Sequence, residues 1–224
     1  MTSKVGAPAL RGLYAITPET PDTARLANLV DEALAGGATL VQYRAKSLAP
    51  GPALDQAHAL RERCAGRGLF IVNDSLELAL AVNADGVHLG RDDGDVARTR
   101  EALPGRLVGV SCYDDPERAR AAALAGADYV AIGSCFGSST KPQAVRAPLE
   151  RIAQARDASG LPVVAIGGIT LHNAPLAIAA GADMVAVISA LFDAPDVRGM
   201  ARDFAALFAH TPEPHGPRKL QVPL

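Results

Sequence analysis

The chain has 224 residues, 49% of them hydrophobic and 21% charged, with 21 glycines and 16 prolines, a balance that excludes a disordered or fibrous chain and points to one globular domain. Its formal charge of −2 supplies no basic field for a nucleic acid backbone, and with no tryptophan and 4% aromatics the core falls to Ala, Val, Leu and Ile, which suits layered α/β packing. No apolar run approaches the ~18 residues of a membrane-spanning helix, Met1 to Arg11 lacks the apolar stretch of a signal peptide, and Cys64, Cys112 and Cys135 are too far apart for a zinc or redox motif. The expectation is a cytoplasmic chain with reduced cysteines and no nucleic acid or membrane partner.

In chain order, short apolar runs rich in β-branched residues read as strands at 12–16, 39–43, 69–72, 86–89, 107–110, 129–132, 163–166 and 184–187. Ala-rich stretches with helical spacing read as helices at 22–35, 52–65, 75–82, 95–102, 115–125, 147–158, 172–180 and 196–209. A degenerate repeat marks where a helix enters the second, fourth, sixth and eighth strands. It runs Gly36-Gly37-Ala38-Thr39, Ala84-Asp85-Gly86-Val87, Gly126-Ala127-Asp128-Tyr129 and Gly181-Ala182-Asp183-Met184. That quarter-turn periodicity fits eight parallel strands closed into a single (β/α)8 TIM barrel of the α/β class over residues 1–210. The remainder, 211–224, carries Pro212, Pro214, Pro217 and Pro223 without periodicity and reads as a mobile tail.

In such a barrel the chemistry sits on the loops that follow the strands, so polar residues at strand C-terminal ends read as functional. After the second strand, alternation sends Gln42, Arg44 and Lys46 to the side of Leu40, placing two cations at the mouth. After the third, Asn73 and Asp74 end an apolar run. Asp74 is either the N-cap of the next helix or a cation ligand shared with one of Asp92, Asp93 and Asp95 on the adjacent strand's loop, about 4.8 Å away. Two carboxylates completed by water and substrate phosphate suit Mg²⁺, while Asp95 reads as a helix cap. The sixth loop, from Gly133 to Pro142, gathers hydroxyls, glycines and Lys141 into a candidate phosphate cradle, and Gly167-Gly168 and Ile188-Ser189 end the strands whose loops form a recurring phosphate site. His88 and His172 lack an orienting acid nearby in sequence and read as structural or cap residues before general bases.

Taken in order, Gln42-Tyr43-Arg44-Ala45-Lys46, Val72-Asn73-Asp74, Ala84-Asp85-Gly86-Val87-His88-Leu89-Gly90, Ser138-Ser139-Thr140-Lys141 and Val164-Ala165-Ile166-Gly167-Gly168-Ile169 resemble the thiamine phosphate synthase family from Leu13 to about Phe208. The resemblance implies an enzyme that joins 4-amino-2-methyl-5-(diphosphooxymethyl)pyrimidine to a thiazole phosphate and releases pyrophosphate. It implies that Gln42, Tyr43, Arg44, Ala45, Lys46, Asn73, Ser111 and Lys141 hold the pyrimidine diphosphate, with Arg44, Lys46 and Lys141 catalytic. By the same likeness Ser138, Ser139, Thr140, Gly168, Ile188 and Ser189 meet the thiazole phosphate, and Asp74 and Asp93 bind Mg²⁺ as cofactor. The chain departs from the family where Ser134 replaces a proline and Ser138 a frequent threonine.

The chemistry of that reaction suits these residues. A carbon–oxygen bond that breaks to diphosphate leaves a highly charged anion, which Mg²⁺ and cations stabilise. The aminopyrimidine delocalises the cation left behind, and the thiazole nitrogen is nucleophilic without a base, so the expected mechanism is dissociative and needs no histidine–acid pair. The alternatives are a thiazole tautomerase-like isomerase and a catalytically silent phosphate-binding regulator on the same barrel. Neither requires Asp74, Asp93 and the serine-threonine-lysine run together. The partners expected are the two phosphorylated small molecules, and the sequence is compatible with a homo-oligomer.

Overall fold

A computed structural model describes residues 10–137 and 146–209. Its strands are β1 Gly12–Ile16, β2 Ala38–Tyr43, β3 Leu69–Asn73, β4 Gly86–Leu89, β5 Leu107–Tyr113, β6 Tyr129–Ile132, β7 Val163–Ile166 and β8 Met184–Val187. All pair in parallel with their neighbours, and β8 closes on β1. The interleaved helices are α1 Thr23–Ala35, α2 Pro50–Cys64, α3 Leu76–Ala81, α4 Val96–Ala102, α5 Pro116–Leu124, α6 Glu150–Ser159, α7 Ala174–Ala179, α8 Ser189–Phe192 and α9 Val197–Ala206. The expected (β/α)8 barrel is therefore the fold.

Strand alternation divides the apolar residues into two layers. Leu40, Ile71, Val164, Met184 and Ala186 fill the barrel interior with Tyr14 and Tyr129, while Leu13, Val41, Phe70, Val72, Val87 and Val185 pack outward against the helices. Helices α1, α3, α4, α5 and α9 begin where polar caps satisfy their first amides: Asp22, Ser75, Asp95, Asp115 and Asp196 each accept from a backbone N–H in the first turn. Asp95 thus serves as the cap expected of it. Asp74 does not, because Ser75 Oγ takes that place by accepting from Leu78 N at 3.1 Å.

The repeated helix-to-strand signature has a physical basis at the end of the barrel remote from those loops. Asp85, Asp128 and Asp183 each accept from the first or second amide of the preceding strand, at Phe70, Val108 and Val163, and each pairs with an arginine, Arg61, Arg100 or Arg156. In the corresponding place before β2, Thr39 Oγ1 donates to the carbonyls of Arg11 and Leu13. Alternate strands are thereby stapled to their neighbours.

Some boundaries differ from the sequence reading. Helix α9 ends at Ala206 rather than 209, and several other ends shift by one or two residues. β5 runs on to Tyr113 because a bulge between Ser111 and Tyr113 keeps it paired with β6. Helix α6 starts at Glu150 rather than 147, and α8 is a single turn that four residues of apolar sequence do not signal. The tail from 211 lies outside the described residues, as do Ser138, Ser139, Thr140 and Lys141.

Candidate active site

The C-terminal ends of the strands surround a cavity of about 460 Å³. The expected pentapeptide 42–46, which ends β2 at Tyr43 and continues into its loop, sorts into two sets. Gln42, Arg44 and Lys46 line the cavity, whereas Tyr43 is buried in the outer layer with its ring stacked 6.4 Å from Phe70, and Ala45 packs against the same layer. The structure does not bring the Tyr43 and Ala45 side chains to the others. Burial, aided by the charge of Glu19, pushes the Tyr43 phenol up to about 12.

The basic loop after β2 is held by a carboxylate that sequence reasoning passed over. Glu19 Oε1 accepts from the amides of Lys46 and Ser47, and its Oε2 lies 3.9 Å from Arg44 Nη1. Thr17 Oγ1 accepts from Arg44 N at 3.0 Å. Their only signal in the sequence is position: both follow β1 at the functional end of the barrel.

At the mouth, Asp74 stands at the end of β3 with φ 66°, its amide donating to the His88 carbonyl at 2.8 Å and its Oδ2 lying 2.8 Å from Lys46 Nζ. A positive φ is uncommon for a residue with a side chain, though Asp and Asn tolerate it best. Asp93 Oδ2 accepts from Gly90 N at 2.8 Å. Its carboxyl is shifted upward by partial burial and then by the hydrogen bond with, and charge of, Asp74. The two carboxylates repel each other, and Lys46 offsets only part of that repulsion at Asp93. Asp93 lines the cavity and Asp92 does not, so it is Asp93 that meets Asp74. No group of three or more His, Cys, Asp or Glu that could hold a metal is found among the described residues. A pair of carboxylates with room for water and substrate oxygens nevertheless suits a hard, water-retaining divalent cation.

Asn73 and Ser111 also line the cavity, from β3 and β5. His172 is exposed on the turn before α7 and does not. His88 is buried and lines the cavity from β4, with Nε2 2.9 Å from Ser111 Oγ and Nδ1 3.3 Å from Tyr129 OH. Burial pushes its pKa from 6.5 down to about 4, against a small opposing pull from Asp93. Because the unfolded imidazole keeps its ordinary value, the unfolded chain binds the extra proton between about pH 6.5 and 4. The stability that neutral His88 contributes is complete above that window and is lost as pH falls through it, by about 3 kcal/mol. His88→Gln is expected to flatten the decline of unfolding free energy over this range, measured by urea denaturation at stepped pH. An unchanged slope would refute the assignment.

On the far side of the cavity the β6 and β7 loops approach each other closely. Cys135 N and Phe136 N donate to the carbonyls of Ile166 and Gly167, both at 2.9 Å. Gly168, at φ 63°, admits this approach, since a Cβ there would lie 2.2 Å from the Gly137 carbonyl oxygen. Beyond β8, Ile188 and Ser189 line the cavity where α8 begins. Gly168, Ile188 and Ser189 therefore meet on one wall, and the cations and carboxylates face the same space.

A parallel barrel with cations beside paired carboxylates, opposite glycine and serine ends of β7 and β8, belongs to the class of barrel enzymes that work on phosphorylated small molecules. The particular family follows from comparison. The family model for thiamine monophosphate synthase matches residues 13–191. The chain is 54% identical over 201 residues to a thiamine-phosphate synthase of Aromatoleum aromaticum, covering 89% of this chain and 97% of that one. It is 53% identical over 203 residues to one of Methylobacillus flagellatus, covering 90% and 97%. A solved thiamine phosphate pyrophosphorylase from Pyrococcus furiosus superposes with a TM-score of 0.80 at 36% identity, covering 89% of this chain and 96% of that one. The chain belongs to the thiamine monophosphate synthase family, as the resemblance of its motifs implied.

Proposed function

We propose that this chain condenses 4-amino-2-methyl-5-(diphosphooxymethyl)pyrimidine with a thiazole phosphate to give thiamine phosphate and pyrophosphate, as a transferase of thiamine biosynthesis. The observation that carries the reading is the convergence of Arg44, Lys46, Asp74 and Asp93 on the cavity that Gly168 and Ser189 also line. The cations and carboxylates suit a diphosphate and the wall of Gly168 and Ser189 a monophosphate, and apolar Ile16 and Ile166 line the same cavity.

In this reading Asp74 and Asp93 hold Mg²⁺. When bound, the ion stabilises negative charge on the departing diphosphate. Arg44 and Lys46 bind the same phosphates, held in place by Glu19, and Asn73 and Ser111 border them. Lys141 joins them by the family resemblance, as Ser138, Ser139 and Thr140 join Gly168, Ile188 and Ser189 at the thiazole phosphate. The apolar residues orient the two rings and exclude water from the cation left when the carbon–oxygen bond breaks. No general base is needed, in keeping with a neutral, buried His88 and an exposed His172 outside the cavity.

The reading places the enzyme in the cytoplasm. Two features support this: no helix among the described residues is long and apolar enough to cross a membrane, and Cys64, Cys112 and Cys135 are buried free thiols.

The test mixes the purified chain with both phosphorylated halves and Mg²⁺ and measures pyrophosphate and thiamine phosphate. Equal amounts of the two products are expected, with neither formed when one half is omitted. Binding of both halves without pyrophosphate would leave a silent regulator, and turnover of the thiazole half alone would leave an isomerase.

A further inference from the structure

At the floor of the cavity, five polar side chains from five strands touch in a row, and Tyr14, Gln42, His88 and Ser111 line it. Gln42 Nε2 donates to Tyr14 OH at 2.8 Å, Tyr14 OH lies 2.9 Å from Tyr129 OH, Tyr129 OH lies 3.3 Å from His88 Nδ1, and His88 Nε2 lies 2.9 Å from Ser111 Oγ. Tyr14 and Tyr129 are 1% and 0% exposed, so water does not complete their hydrogen bonds. We propose that this row is a hydrogen-bonded chain of one direction, which turns the Ser111 hydroxyl into a donor facing the cavity and makes Tyr14, Tyr129 and His88 positioning residues.

With the Gln42 amide nitrogen turned toward Tyr14, counting hydrogens gives the direction. Tyr14 receives a hydrogen from Gln42, so its own goes to Tyr129. Tyr129 then has only His88 Nδ1 for its hydrogen, and Nδ1 must be bare. A neutral imidazole has one N–H, which is therefore on Nε2 and points at Ser111. Ser111 Oγ accepts it, and its own hydrogen is left for a partner in the cavity it lines. A break midway would set two hydrogens or two lone pairs against each other in a buried place, which is strongly unfavourable. Turning the Gln42 amide over would reverse every bond and consume the Ser111 hydrogen on His88.

Packing holds the chain in register. The His88 ring stacks on Tyr129 with centroids 5.6 Å apart and planes 25° from parallel. Gly109, on the same strand as Ser111, leaves room for Tyr129, since a Cβ there would fall 2.1 Å from Tyr129 Cζ. The Gly109 position in a strand interior otherwise weakens β5.

The acceptor for Ser111 is a diphosphate oxygen, a point that rests on the function proposed above. The chain's direction does not, and two measurements separate them. In ¹⁵N-histidine spectra of the ligand-free protein, with His88→Gln to assign the signal, His88 is expected as the neutral tautomer protonated at Nε2. Protonation at Nδ1, or an imidazolium at pH 7.5, overturns the proposal whatever the enzyme turns over. Tyr129→Phe keeps the ring and removes the hydroxyl. It is expected to lower kcat about 10-fold, leave KM for the thiazole phosphate unchanged, and cost less than about 2-fold when Ser111 is already Ala. Equal losses from Tyr129→Phe in both backgrounds would show that it acts on the fold and not through Ser111, and would overturn the proposal. A wild-type chain that releases no pyrophosphate removes the function reading, while the tautomer still decides the chain.

Discussion

Asp74→Asn is expected to lower turnover about 10²- to 10³-fold and to raise the Mg²⁺ concentration needed for half-maximal rate. The substitution isolates charge from shape. Asp74 sits at φ 66°, a backbone conformation that Asn also tolerates, and its amide bond to the His88 carbonyl does not involve the side chain. What changes is the electrostatics: Lys46 loses the carboxylate 2.8 Å from its ammonium, and Asp93 loses the neighbour that, after burial, holds its proton affinity up. A site of one carboxylate binds a hard cation weakly. The measurement is kcat across an Mg²⁺ titration, with thermal unfolding as the control for folding. Turnover and metal dependence equal to wild type would remove Asp74 from the metal site.

The largest loss of stability is expected at the opposite end of the barrel. Asp183 is 5% exposed, accepts from Val163 N at 2.8 Å and pairs with Arg156, which also donates to the Gly181 carbonyl. Asp183→Ala leaves a buried amide without an acceptor, while the Arg156 guanidinium, 30% exposed, stays partly hydrated, a change worth about 2 to 3 kcal/mol. Asp85 makes the same pair of contacts with Phe70 N and Arg61, but its side chain is 28% exposed. Water replaces part of what Asp85→Ala removes, so that variant is expected to lose about 1 kcal/mol. Urea unfolding compares the two, and kcat per folded molecule is expected to stay near wild type because neither residue lines the cavity. Similar losses at both positions would show that burial does not set the scale.

Most of the barrel was legible because local rules and tertiary contacts agree. β1, β4, β6, β7 and β8 begin and end where alternation and turn residues place them. The repeated Asp before alternate strands is visible as a pattern because each copy performs the same local task on a neighbouring strand edge. Two boundaries that moved depend on distant partners. β5 continues to Tyr113 because β6 offers a bulged edge there, and α8 forms in the closing turn of the barrel after β8.

The site divides in the same way. Residue order alone determined that Gln42, Arg44 and Lys46 share a side, since a strand has a period of two, and that Asp95 caps a helix, since a cap acts within one turn. The family resemblance named Asp93 as the partner of Asp74, and the closed barrel brings the two together; only the closed barrel decided that Ser75 rather than Asp74 caps α3 and that Glu19 holds the loop carrying Arg44 and Lys46. Tyr14 and Tyr129 lie 115 residues apart in the chain, and their contact exists because the sheet curves back on itself. Spacing along a chain encodes which way a side chain points, but which distant groups share a low-dielectric cavity is set by how strands far apart in sequence close into one wall.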